Sequence, residues 1–241
     1  MRCLNFSTRW SCFVITMLLL GSCGTGKVRR IQSPPHYSFA QVFTHKLEPK
    51  LKEISGLAWD KKLDEFIAHN DESGKLFYLD KETKLIKSEL PFGEKGDYEE
   101  VAVVNSVPYI LRSDGLILMI SKDSTGKAIP VEMGKVGISG VNDFESMYFD
   151  PARNALVILC KNCESDNKQV VSAYACSLDS TGFDPAPVFS ISIDEVKTAS
   201  PFKSGRFEPS SAAIHPVLQK LFILSSASNQ LIITSLDGKL E

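Results

Sequence analysis

From Tyr37 to Leu47 the apolar residues Tyr37, Phe39, Phe43 and Leu47 alternate with Ser38, Ala40, Thr44 and Lys46, a period of two that predicts a strand. Short apolar runs then recur at 56–59, 65–68, 76–79, 101–104, 107–111, 116–120, 146–149, 155–160, 170–176, 188–193, 211–214, 220–225 and 230–236. Turn-forming clusters separate them, such as Asp71-Glu72-Ser73-Gly74, Ser113-Asp114-Gly115 and Leu236-Asp237-Gly238. Only 192–199 has helical spacing, and it is short. The pattern predicts an all-β protein with one minor helix.

Four segments within this pattern resemble one another: Glu53-Ile54-Ser55-Gly56-Leu57, Asp97-Tyr98-Glu99-Glu100-Val101, Asp143-Phe144-Glu145-Ser146-Met147 and Glu208-Pro209-Ser210-Ser211-Ala212. Each opens on an acidic residue, passes through a polar or small pair and enters a strand. After each come a second strand, a tight turn and a third strand. A repeat of that length built from three or four antiparallel strands predicts a β-propeller of four-stranded blades. A β-sandwich would also use many short strands, but it leaves the recurring acidic start unexplained.

The amino terminus follows different rules. Arg2 and Arg9 precede the apolar run Phe13 to Leu20, which is too short to span a bilayer and reads as a signal peptide over 1–22. The run ends in Leu20-Gly21-Ser22-Cys23, similar to the lipobox of bacterial lipoproteins. Cys23 is accordingly expected to carry lipid, with 23–36 as a tether and 37–241 as the propeller domain. An ordinary secretory signal with a coincidental cysteine is the alternative. Gly21 to Lys27 also has the GxxxxGK spacing of a phosphate-binding loop, but Val28 stands where Ser or Thr would hold Mg²⁺ and no strand precedes it.

Composition narrows the classes. With 43% hydrophobic and 23% charged residues the chain is neither disordered nor a multi-span membrane protein. A net charge of −2 leaves no basic excess for a phosphate backbone, so nucleic acid is not an expected partner. Of six cysteines, Cys160, Cys163 and Cys176 remain in the predicted domain. Cys160 and Cys163 have CxxC spacing without the second pair that zinc requires, and the motif ends a strand-like run, which favours a structural or free-thiol role over redox catalysis.

The repeat starts, together with His69-Asn70-Asp71-Glu72 in the first hairpin, resemble the SdiA-regulated (YjiK-like) family of bacterial envelope β-propellers across about 37–239. That resemblance implies a propeller fold, an envelope lipoprotein and a bound divalent cation such as calcium; it implies no established reaction. Two departures stand out: Ser146 and Ser211 occupy positions where the family often has Gly, and only four repeats are present where at least five are implied. An open or irregular ring with an exposed strand edge is therefore expected, with Tyr37 to Leu47 as a candidate closing strand.

The first strands of propeller blades line a central channel, so carboxylates at their starts converge at one mouth. Glu99 and Glu145 are equivalent by repeat, and Asn70, Asp71 and Glu208 are the further oxygen donors expected for Ca²⁺, which takes six to eight. As strand-end charges and turn residues, the same side chains have an ordinary structural explanation. No Gly-x-Ser-x-Gly nucleophile elbow is present, His36 and His215 read as surface or turn residues, and His69 is the candidate general base or ligand. Three functions follow: a lipid-anchored propeller, in the outer rather than the inner membrane, binding a ligand or partner at an acidic mouth; a metal-dependent phosphoesterase or lactonase; or an interaction scaffold.

Overall fold

The computed structural model describes residues 33–180, 183–200 and 206–241. The signal peptide and Cys23 lie outside them. His45–Glu241 forms one compact unit, separate from the unit that ends at Thr44.

Within His45–Glu241 the strands group into four antiparallel blades. Blade 1 holds β1 (Ile54–Asp60), β2 (Glu65–Asn70), β3 (Lys75–Asp80) and β4 (Ile86–Pro91). Blade 2 holds β5 (Tyr98–Val104), β6 (Val107–Arg112), β7 (Leu116–Lys122) and β8 (Ala128–Lys135). Blade 3 holds β9 (Asn142–Asp150), β10 (Ala155–Cys163), β11 (Val170–Ser177) and β12 (Phe189–Ser192). Blade 4 holds β13 (Ser211–Ile214), β14 (Leu221–Ser225) and β15 (Gln230–Thr234), with Leu240 bridging back to Thr234. The helix α1 (Ile193–Ala199) follows β12, capped by Ser192, whose side chain accepts the Glu195 N–H. The protein is a four-bladed β-propeller.

Packing between blades explains the near-continuous apolar run of β10. Leu156, Ile158 and Cys160 face blade 2, meeting Leu111, Ile117 and Val136. The alternate residues Val157 and Leu159 face blade 4, meeting Leu221 and Ile223. A strand covered on both faces has no solvent side on which to place polar residues. Burying each such Leu or Ile contributes about 2 kcal/mol of hydrophobic stabilisation.

Among the described residues the first and last blades do not pack as neighbouring blades do. β1 lies beside β5, β5 beside β9 and β9 beside β13, whereas β13 makes no comparable packing with β1 among the described residues. The outward face of blade 1, built from Ala68, Phe77 and Leu79, is covered instead by Leu47 and Leu51. On the far face of blade 4, Leu224 stays half exposed. Among the described residues the arrangement is the open one expected.

The expected strand at Tyr37 to Leu47 does not form. Its backbone turns, the Tyr37 N–H donating to the Pro34 carbonyl and the Gln41 N–H to that of Ser38. Tyr37, Phe39, Val42 and Phe43 are all exposed. A period of two describes how a strand would divide its faces, but a strand also needs a partner edge, and these N–H groups are spent locally.

One turn recurs among blades. Asp60 Oδ1 accepts the N–H groups of Lys62 and Leu63, and Asp150 Oδ1 those of Ala152 and Arg153. In blade 4 His215 occupies the same repeat position, and its Nδ1 accepts the N–H groups of Val217 and Leu218, each at 3.1 Å. His215 is a turn cap, as read from its place before Pro216.

Candidate functional site

Each innermost strand of the first three blades carries one extra residue at the same repeat position. Ile54 and Gly56 pair with Asn70 and His69, leaving Ser55 bulged; Tyr98 and Glu100 pair with Arg112 and Leu111, leaving Glu99 bulged. Phe144 and Ser146 pair with Cys160 and Leu159, leaving Glu145 bulged. A bulge twists the strand and re-aims its side chain, and bulges concentrate beside functional sites. Three equivalent bulges on neighbouring strands gather Ser55, Glu99 and Glu145 at one end of the propeller.

The group is electrostatically tense. Glu99 titrates at about 7, first because it is partly buried and then because Glu145, Asp97 and Asp143 face it with like charge. A hydrogen bond between the Glu99 and Asp97 side chains adds to the rise, as expected when two carboxyls share a proton. Ser55 Oγ donates to the Glu99 carbonyl at 3.1 Å and lies 3.5 Å from its Oε2. Lys161, on β10, reaches the group from outside, 3.3 Å from Asp143 Oδ2 and hydrogen-bonded to Glu145 Oε1. Burial opposes the charge of Lys161, but these carboxylates outweigh it and hold the ammonium above its usual pKa.

Glu145 therefore already has a counter-ion, a protein cation that sequence reasoning missed. Lys161 is itself a bulge residue, between Cys160 paired with Phe144 and Asn162 paired with Asp143. Its position inside the Cys160–Cys163 motif was the available signal.

Of the remaining predicted donors, Asn70 and Glu208 are otherwise engaged, and Asp71 is held through its backbone. Asn70 Oδ1 accepts from the backbone and side chain of Ser73, so it closes the β2–β3 turn. The Asp71 backbone joins that turn to its neighbours, its N–H donating to the Glu53 carbonyl and its carbonyl accepting from Tyr98. Glu208 Oε1 lies 3.2 Å from Arg206 Nε, and Arg206 Nη2 donates to Asn162 Oδ1 at 2.8 Å. Among the described residues no three carboxylates bring oxygens within 4.8 Å of one another. Calcium would have to draw Glu99, Asp97, Asp143 and Glu145 together and displace Lys161.

The cluster that does meet that distance, Cys160, Cys163 and Asp166, is not a metal centre. The two sulfurs are joined in a disulfide, and both Asp166 oxygens accept from Ser172, through its N–H at 3.0 Å and its hydroxyl at 2.6 Å. The third cysteine, Cys176, is buried against blade 2.

Beneath the mouth lies a layer that the sequence reading passed over. Gly56, Glu100, Ser146 and Ser211 share one register, opposite His69, Leu111, Leu159 and Leu224. Glu100 is 4% exposed and reaches across to one of the others: its Oε2 accepts from Ser211 Oγ at 2.9 Å, and its Oε1 from the Val101 N–H at 3.0 Å. Burial raises its pKa to about 8, against the lowering effect of these donors and the Leu57 N–H. At neutral pH it is chiefly a neutral acid plugging the middle of the propeller. Beside it, His69 is fully buried, its Nδ1 3.0 Å from the Asn70 carbonyl and its Nε2 facing Gly56. Burial holds His69 below its usual pKa, and its depth removes it from the role of a solvent-facing base.

No family model matches the chain, and no curated protein matches it. Among solved structures it is similar to a structural genomics protein of unknown function from Bacteroides thetaiotaomicron, with a TM-score of 0.52 and 10% identity over 78% of this chain and 42% of that one. Kuenenia stuttgartiensis hydrazine synthase gives a TM-score of 0.48 at 12% identity, over 82% of this chain and 50% of that one. The β-propeller domain of Cps50 (Swd1) from Myceliophteria thermophila gives 0.45 at 10% identity, over 76% and 54%. The chain spans about half the length of these structures, and at such identities the likeness is one of fold alone.

Proposed function

We propose that this protein is an envelope propeller, lipid-anchored through Cys23, that binds a cationic ligand at the acidic mouth formed by Asp97, Glu99, Asp143 and Glu145. The observation that carries this is Glu99: a bulge holds its carboxyl against three others, and the resulting repulsion is relieved by a proton that a cation can replace. Calcium is the inorganic candidate and an ammonium group the organic one, since Lys161 already shows an ammonium seated on Asp143 and Glu145.

Thermal unfolding with and without Ca²⁺ tests the site. A ligand at 100 times its Kd that binds only the folded state stabilises by about 2.7 kcal/mol. Glu99→Gln is expected to abolish the rise in Tm, while Glu132→Gln, on the exposed strand β8, leaves it intact. An unchanged Tm in the wild type, with no response to alkylammonium ions either, removes the site. For the anchor, Cys23→Ser is expected to move the protein from the membrane to the soluble fraction; a wild-type protein already soluble removes that part.

Glu99 also supports a second reading. A carboxyl titrating near 7 has the pKa of a general base, which a metal-dependent hydrolase would require beside its metal-bound water. Turnover of phosphoester or lactone substrates, lost in Glu99→Gln, would favour it over simple binding.

A further inference from the structure

The disulfide and the acidic mouth are joined by two residues. Cys160 and Cys163 lie at the end of β10, and the chain between them consists of Lys161 and Asn162. Lys161 pairs with Asp143 and Glu145 in the mouth, and Asn162 Oδ1 accepts from Arg206, which in turn pairs with Glu208. The disulfide brackets the bulge that aims Lys161, since the register against β9 slips between Leu159 and Cys160 and again between Cys160 and Asn162. Its sulfurs are packed in the core between blades 2 and 3, Cys160 at 1% and Cys163 at 4% exposure.

We propose that the Cys160–Cys163 disulfide is a redox clamp that holds Lys161 in the mouth as an internal cation, so that reduction by a dithiol releases Lys161 and opens the carboxylates to an external cation. When the end of β10 opens locally, a thiolate of the dithiol attacks Cys163 Sγ, on the less deeply buried of the two cysteines, breaking the S–S bond; Cys160 leaves as a thiolate and takes up a proton. The second thiol of the reductant resolves the mixed disulfide, freeing Cys163 as a thiol. Two electrons pass from the dithiol, which ends as a disulfide. The two protein thiols must then separate to van der Waals distance inside a close-packed core, which the bulge between them accommodates more readily than the flanking ladder.

The functional consequence rests on the acidic mouth being a cation site, but the clamp itself can be read without any ligand. Amine acylation followed by mass spectrometry compares Lys161 with the exposed Lys52 in the oxidised protein, in protein reduced with dithiothreitol and desalted anaerobically, and in Cys160→Ser/Cys163→Ser. Released from the ion pairs with Asp143 and Glu145 that occupy its amine, Lys161 is open to the reagent, and its acylation relative to Lys52 is expected to rise about threefold or more. The Ca²⁺-induced rise in Tm is expected to be larger in the reduced protein, and equally large in Lys161→Met whether oxidised or reduced. An unchanged acylation ratio overturns the clamp whatever calcium does. Release of Lys161 with no calcium response in any form supports the clamp and removes the cation site instead. Should the double serine variant fail to fold, reduced wild type carries the same comparison.

Discussion

Ser211 on β13 donates to Glu100 on β5 at 2.9 Å, so a hydroxyl of the last blade holds a buried carboxyl of the second across the middle of the propeller. Blade 3 lies between them in sequence, and the contact ties together strands that are not neighbours in the ring. It gives the Ser at 211 a role that Gly could not fill.

Glu100 sets a pH dependence. Its folded pKa of about 8 lies above the ordinary carboxyl value, so the folded state holds the proton more tightly than the unfolded state. Its stabilising contribution is full in acid and is lost as pH rises from about 4.5 to about 8. Glu100→Gln keeps an acceptor for Ser211 without the ionisation, and should raise Tm at pH 8 relative to wild type more than at pH 5. A tenfold change in proton affinity is worth about 1.4 kcal/mol, so the gain is a few kcal/mol at most. Equal effects at both pH values would assign Glu100 no buried titration.

Glu99 offers a spectroscopic counterpart. Carbon-detected NMR of its side-chain carboxyl should show a midpoint near 7, and because Glu145 and Asp97 contribute to that elevation, Glu145→Gln and Asp97→Asn should each lower it. A midpoint near 4.5 in the wild type would show that the carboxyls do not crowd one another.

Gly56 is required by proximity. A Cβ there would fall 2.4 Å from His69 Nε2 and 2.7 Å from the Val101 nitrogen, and Val101 is backbone that cannot step aside. Gly56→Ala is expected to destabilise by about 1–3 kcal/mol through overpacking, measurable by urea denaturation. His69→Ala in the same chain should recover part of that loss.

His215 can be tested by exchange with its repeat equivalents. Replacing it with Ala strands the N–H groups of Val217 and Leu218 and should cost about 1 kcal/mol. Replacing it with Asp, the residue that Asp60 and Asp150 supply in their blades, should cost less. Equal losses in the two variants would mean that the ring packing against Phe222, at 5.2 Å between centroids, matters more than the cap.

Much of this architecture was legible in the chain. The four acidic starts marked the innermost strands, and Ser192 to Ala199 marked the helix, because both signals are local. Glu99 and Glu145 were brought together by repeat equivalence alone. The counter-ion was not legible: Lys161 reaches Glu145 from a neighbouring strand through a bulge, and a register slip leaves no trace in a period of two. Glu100 was overlooked because it follows Glu99 directly, and adjacent residues on a regular strand face opposite ways. The doubled acid was in fact the clue, as only a bulge lets both serve one end of the ring. Tyr37 to Leu47 misled for the converse reason, carrying strand periodicity without strand pairing.

The bulges have an evolutionary corollary. A bulged residue has no partner in the ladder, so exchanging Ser55, Glu99 or Glu145 leaves the paired positions of β1, β5 and β9 untouched. Substitutions at these three points therefore change the chemistry of the mouth one blade at a time while the ladders keep their register.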